Sequence, residues 1–246
     1  MRIDIARLNL IAVAAGLLLA ACSSPQQAPP TPAQQAAQQQ AAQVAAAAKE
    51  YTLYQQLLAS HSDALAVPIG QEIVRKYPGT PAAADVQQTL PALAAKVAAV
   101  IEHQRLRALW LYQAAPMAGG RQTTAAISAV KPDGDRSAVR LVLRRHTLWG
   151  QSVYLYDDSN AGFVCKGLCT VTMRFDGGKP ERWQAYLPHS SDPALFIKDD
   201  RRFIAALEHT HKDIVMDVVR KPHREQTLRF EAGGFDPAQF PQPAKK

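Results

Sequence analysis

The sharpest local feature of the chain is Cys165-Lys166-Gly167-Leu168-Cys169. Two thiols with three residues between them, the middle one a glycine, have three chemistries open to them. They can close a structural disulfide at a hairpin tip, with Gly167 in the left-handed region. They can cycle as a redox pair, although oxidoreductases prefer two intervening residues and a helix N-terminus that lowers the thiol pKa. They can hold a metal, but two thiolates need further His or Cys at ligand spacing, and none lies nearby. The residues favour the structural bridge between Cys165 and Cys169, with Gly162–Cys165 and Cys169–Phe175 as its two strands. So short a loop adds little chain-entropy stabilisation, so such a bridge serves mainly to fix turn and register.

The other reactive side chains do not assemble into a reaction. His189-Ser190-Ser191-Asp192 contains the residue types of a hydrolytic triad. Sequence neighbours cannot form that geometry, and no strand–turn–helix elbow surrounds either serine. Asp157-Asp158-Ser159-Asn160 lacks the spacing and later Glu of a calcium loop and reads as a polar turn. His209 and His211 point to different faces of a helix, so they cannot chelate together there. Glu72, Glu102 and Glu208 stand apart from one another, and no glycine-rich phosphate loop is present. The expectation is a protein without catalytic activity, cofactor or metal. An enzyme acting on cell wall or lipid is the alternative from another class.

The elements that must position these residues begin with an address. Arg2 and Arg7 precede an apolar run from Leu8 to Ala21 of 14 residues. A bilayer core of ~30 Å needs ~20 residues, so the run fits the hydrophobic region of an export signal. It ends in Leu19-Ala20-Ala21-Cys22, followed by Ser23. These residues resemble the lipobox of bacterial lipoproteins. The resemblance implies a signal peptide over 1–21, cleavage before Cys22, a diacylglyceryl thioether on Cys22 with an acylated amino terminus, and, with Ser23 rather than Asp next, sorting to the periplasmic face of the outer membrane. In that oxidising compartment the two remaining Cys are expected to be bridged.

Ser23 to Ala48 carries no charge and holds ten Ala, eight Gln and four Pro. Residues 22–48 read as a tether, extended through Pro32 and becoming helical near its end. Residues 49–104 read as a helical arm. Tyr51, Tyr54, Leu57 and Leu58 fall at helical spacing, and Leu65, Ile69, Ile73 and Val74 give a second apolar face. Tyr77-Pro78-Gly79 stops that helix, and Thr80-Pro81 starts a third with Thr as cap and Pro at the first position. Its apolar stripe is Val86, Leu90, Leu93, Val97, Val100 and Ile101, and Pro91 should kink it. The segment Ile73–Ala83 resembles the inter-repeat turn of envelope tetratricopeptide-like proteins, over about one repeat. Since at least three repeats are needed for a solenoid, a short helical hairpin or three-helix arm is expected.

From about Arg105 the apolar period falls from 3.6 to 2. Val139, Leu141 and Leu143 alternate with Arg140 and Arg144, Val153 and Leu155 with Tyr154 and Tyr156, and Val171, Met173 and Phe175 with Thr170, Thr172 and Arg174; Ile214, Met216 and Val218 alternate again, as do Leu228 and Phe230. Asp133-Gly134 and Asp176-Gly177-Gly178 are hairpin turn signals. Residues 105–236 therefore read as an antiparallel β-sandwich of roughly eight strands. One helix is inserted, capped by Asp199 or Asp200 and burying Phe203, Ile204 and Leu207. Trp110, Trp149 and Trp183 read as core or rim residues. Residues 237–246, rich in Pro, read as a flexible tail. The fold class is α+β.

Trp110, Arg174-Phe175-Asp176-Gly177-Gly178, Trp183, and Ala194-Leu195-Phe196 leading to the helix at Phe203 resemble, in order, a family of small periplasmic β-sandwich proteins that accompany type VI secretion systems. That resemblance implies an accessory role in secretion. The chain looks equally like uncharacterised envelope lipoproteins of gamma-proteobacteria.

Composition narrows the partners. The 246 residues carry 28 basic and 21 acidic side chains, a net charge of +7, and 47% are hydrophobic. No basic run is interleaved with aromatics, so nucleic acid is not expected. The expected partners are the membrane, through the N-terminal lipid, and an envelope protein engaged by the arm or by an open sheet edge.

Overall fold

The computed structural model describes residues 31–243. The expected signal peptide over 1–21, the expected lipid site at Cys22 and residues 22–30 of the expected tether lie outside the described residues, as do residues 244–246.

Helix α1 spans Pro32–Ala59. It starts well before the expected arm boundary, because Thr31 and Gln34 form a capping box and Pro32 sits at the first helical position. Ala and Gln, with high intrinsic helix propensity, carry it onward without a packing partner. Helix α2 covers Asp63–Lys76 and α3 covers Pro81–Ala108. The break between them follows the sequence signals: Gly79 takes a positive φ of 78°, and the Thr80 hydroxyl accepts from the Ala83 amide. A small core of Ala47, Tyr54, Ala66, Ile73, Ala82, Ala83 and Val86 joins the three helices. Small residues there let the axes approach closely. A Cβ on Gly70 would lie 3.0 Å from both Tyr54 and Leu90.

The second half of the chain forms β1 (Leu111–Met117), β2 (Gly120–Val130), β3 (Arg136–His146), β4 (Gly150–Asp157), β5 (Leu168–Phe175), β6 (Glu181–Tyr186), β7 (Ala194–Ile197), β8 (Ile214–Arg220) and β9 (Arg224–Phe230), with α4 (Asp200–Glu208) between β7 and β8. The sheet order is β1-β2-β3-β4-β7-β6-β5-β8-β9, and β9 pairs back to β2 through Arg229 and Val130. The α+β class holds, but the expected sandwich does not. Eight antiparallel strands close into a barrel, with β1 as an extra strand on β2. Alternation shows which face of a strand is buried but not whether two sheets stack or one sheet curls. Closure depends on β2, whose first part pairs with β1 and whose last residue reaches β9.

Inward residues of every barrel strand meet in one core, including Ile127, Leu141, Leu155, Met173, Trp183, Ile214 and Phe230. At one end α4 closes the barrel, with Asp199 accepting from the Arg202 amide as its cap. Phe203, fully buried, packs against Trp183 and Phe175. The expected flexible tail is pinned at this same end. Phe240 is fully buried in the core, Pro237–Gln239 form a short 3-10 turn, and the Thr123 hydroxyl donates to the Pro241 carbonyl. Proline content forecast fraying, but one aromatic side chain with a core site outweighs it.

The arm joins the barrel there as well. Trp110 Nε1 donates to the Ala232 carbonyl at 3.2 Å. Arg105 meets Glu231 at 3.0 Å and Arg107 meets Asp236 at 2.8 Å. A Cβ on Gly234 would fall 2.2 Å from the Arg107 nitrogen, so only glycine permits this backbone approach.

Candidate functional site

Cys165 and Cys169 are disulfide-bonded, with Cα atoms 5.5 Å apart. Gly167 between them has φ 61°, as the spacing predicts. The surroundings differ from the expected hairpin. Residues 162–165 form no strand, apart from a lone bridge between Phe163 and Arg220. Strand β5 pairs instead with β6 and β8. The bridge thus ties the crossing loop 158–167 to the start of β5, and fixes that loop rather than a hairpin register. Phe163, buried in the core, fills the barrel end opposite α4.

The same end holds the most buried ionic group. Asp157 has no exposed surface, and its carboxylate accepts from the Ser159 amide and hydroxyl, the Gly162 amide and the Arg220 guanidinium. Burial alone would push this carboxyl up. The hydrogen bonds from Ser159, Arg220 and Gly162 outweigh it and hold the group below its ordinary range. The polar turn read at Asp157–Asn160 is therefore a pin joining β4, the loop and β8. All the acceptor capacity points inward, which leaves no face for a ligand.

The remaining candidates stay apart. Ser190 donates to Asp192 at 2.7 Å within their own loop. His209 caps α4 and His211 lies beyond it, where its amide donates to Asp176. Among the described residues no group of three or more His, Cys, Asp or Glu is placed to hold a metal ion. No described helix is long and apolar enough to cross a membrane.

The arm offers a different kind of site. The apolar stripe of α3 is buried only in its first half, where Val86 has no exposed surface. Further along, Val100 and Ile101 are 52% and 58% exposed, and Leu65 on α2 is 62% exposed. With Val97 they line a cavity of about 480 Å³ where the start of α2 meets the middle of α3. The Lys96–Asp63 ion pair, at 2.6 Å, lies in its wall. The cause is length. Helix α3 has 28 residues and its partner α2 has 14, so the apolar stripe outruns the helix that covers it. Sequence reasoning found these side chains as apolar faces of the arm helices without saying which of them are covered. Comparing the two helix lengths was the available signal that part of the stripe lacks cover. Among the described residues β1 alone has a neighbouring strand on one side only, and its Pro116 offers no amide to an incoming strand.

No family model matches the chain, and no curated protein matches it. Among solved structures, the crystal structure of invasion associated protein B from Bartonella henselae is similar, at 17% identity and a TM-score of 0.34, covering 53% of this chain and 87% of that one.

Proposed function

We propose that the protein is a non-catalytic binding or scaffolding module of the bacterial envelope. A lipid on Cys22 holds it at the periplasmic face of the outer membrane, and the arm engages another envelope protein. The observation that carries the binding role is the apolar groove formed by Leu65, Val97, Val100 and Ile101. Exposed apolar side chains grouped in one groove are the kind of surface that marks interaction sites, and a groove between two helices suits the apolar face of a third. The anchor rests on the lipobox Leu19-Ala20-Ala21-Cys22.

Two measurements test the two halves of this reading. Cys22→Ala should move the protein from the membrane to the soluble fraction; retention in the membrane fraction refutes the anchor. Val100→Asp with Ile101→Asp should abolish cross-linking of the arm to its envelope partner in intact cells while leaving the thermal transition of the barrel in place. Unchanged cross-linking would remove the groove as the binding site.

A further inference from the structure

The outer wall of the barrel carries a second surface. Leu141 and Leu143 point into the core, so Arg140, Val142 and Arg144 between and beside them face outward. Register then links Val142 to Ala126 on β2 and to Tyr154 on β4. Tyr154 pairs with Phe196 on β7, and Phe196 pairs with Tyr186 on β6. Every member of this row is apolar or aromatic, although outward positions elsewhere on the barrel are mostly polar or charged; Ala126 and Val142 are themselves buried, so the accessible stretch runs from half-buried Tyr154 and Phe196 to exposed Tyr186 and Leu168. The row ends in Leu111 on β1 and Leu168 on β5, which are 53% and 55% exposed. The rings pack closely, with centroids 4.8 Å apart for Tyr154 and Phe196 and 5.6 Å apart for Phe196 and Tyr186.

One border of the row is cationic. Arg144 lies over the rings of Tyr154 and of Trp149, the latter 52% exposed, and its hydrogen-bond partner is neutral Ser152. Lys198, which follows β7, donates to neutral Gln184. Among the described residues neither cation has a carboxylate within ion-pair distance. Arg140 on the other border is already neutralised by Asp158 at 2.6 Å. From Tyr154 through Phe196 and Tyr186 to Leu168 the accessible surface is thus apolar, with uncompensated positive charge on one side.

We infer that this row is the docking surface for a segment of another protein that is apolar along one side and acidic along the other. Arg144 and Lys198 supply the charge complementarity. Tyr, Trp and Arg are the side chains that carry most binding energy in protein interfaces. A bilayer is the poorer fit, because the row curves with a closed barrel and a flat surface meets only its crest. The arm groove carries no such excess charge, since its Lys96 is paired with Asp63.

The test places a photo-cross-linking amino acid at Leu168 or Phe196 in the full chain in intact cells, with Thr227 on the outward face of β9 as control. The expected result is a protein adduct at the first two positions and none at Thr227, mapped by mass spectrometry to a segment of net negative charge. Arg144→Glu with Lys198→Glu should lower its yield about tenfold, with near-ultraviolet circular dichroism confirming that the variant is folded. Adducts with lipid alone, no adduct, an adduct to a basic segment, or a yield indifferent to the charge reversal in a folded variant would each overturn the inference.

Discussion

The arm and the barrel solve the same problem, hiding apolar surface, at different scales. The arm buries seven residues in its core, four of them alanines. The barrel buries twenty-six, many of them large and aromatic. Most of the arm's contacts join helices that are neighbours in the chain, with Tyr54 on α1 reaching Thr89 on α3 as well, so its structure is assembled largely from local signals: caps, a Tyr-Pro-Gly stop, and helical periodicity. The barrel depends on pairings between distant segments, β2 with β9 and β4 with β7 above all. The difference shows why the binding surfaces look unlike each other. The arm exposes an apolar stripe because its helices have unequal lengths. The barrel exposes an apolar row because its register brings single outward residues from several strands into line.

The strongest test of the contrast is to empty the barrel alone. Phe203→Ala removes the aromatic that α4 inserts between Trp183 and Phe175, and should cost about 4 kcal/mol in a denaturant titration. If the regions are separate units, hydrogen exchange in α1 and α2 should be unaffected. Loss of protection there would show that the Trp110 and Gly234 contacts make one cooperative unit.

Asp157→Ala comes next. It leaves Arg220 half-buried without its carboxylate and removes the acceptor for the Ser159 and Gly162 amides, at about 3 kcal/mol. The wild-type protein should show the same contact by acid titration. The Asp157 carboxyl is held below its ordinary range in the folded state, so its contribution is complete above the unfolded value and is lost as pH falls through the folded one. Barrel stability should therefore drop in acid below the normal carboxylate range, and the Asp157→Ala variant should lose much of that dependence. An unchanged acid profile in the variant would assign the sensitivity to other carboxylates.

Removing the bridge should matter less. Cys165→Ser with Cys169→Ser opens a loop of few residues, for which chain entropy gives about 2 kcal/mol at most. The change should appear as faster exchange in residues 158–167 rather than as loss of the barrel. Gly70→Val, the smallest effect, crowds Tyr54 and Leu90 in the arm and should cost about 1 kcal/mol. It should lower the first helical transition by circular dichroism while leaving the near-ultraviolet signal of the barrel tryptophans alone. A shift in that signal would again argue for one unit.

Much of this architecture was legible in the residues because the signals are local. The Thr80-Pro81 start, the Asp199 cap, the turns at Asp133-Gly134 and Asp176-Gly177-Gly178, and the period-2 stretches at Val139–Leu143 and Ile214–Val218 each depend on neighbours within a few positions. The bridge between Cys165 and Cys169 belongs with them, since so short a separation confines the two Cβ atoms to a narrow range of distances. The hairpin drawn around that bridge was wrong for the opposite reason. Whether β5 pairs with the preceding segment or with β8 is decided by which distant strand completes the core.

The sequence by itself determined the helices and most of the strands, several of their caps and stops, and the side chains on many of the apolar faces, because dihedral preference and periodicity act over a few residues; β6 and β7, too short to show an alternation, were not among them. Only the tertiary structure decided that the strands close into a barrel, that Phe240 pins the tail, that Val100 and Ile101 lie open, and that Val142, Tyr154, Phe196 and Tyr186 stand in one row. Each of those outcomes depends on register and element length, which are set where segments far apart in the chain meet.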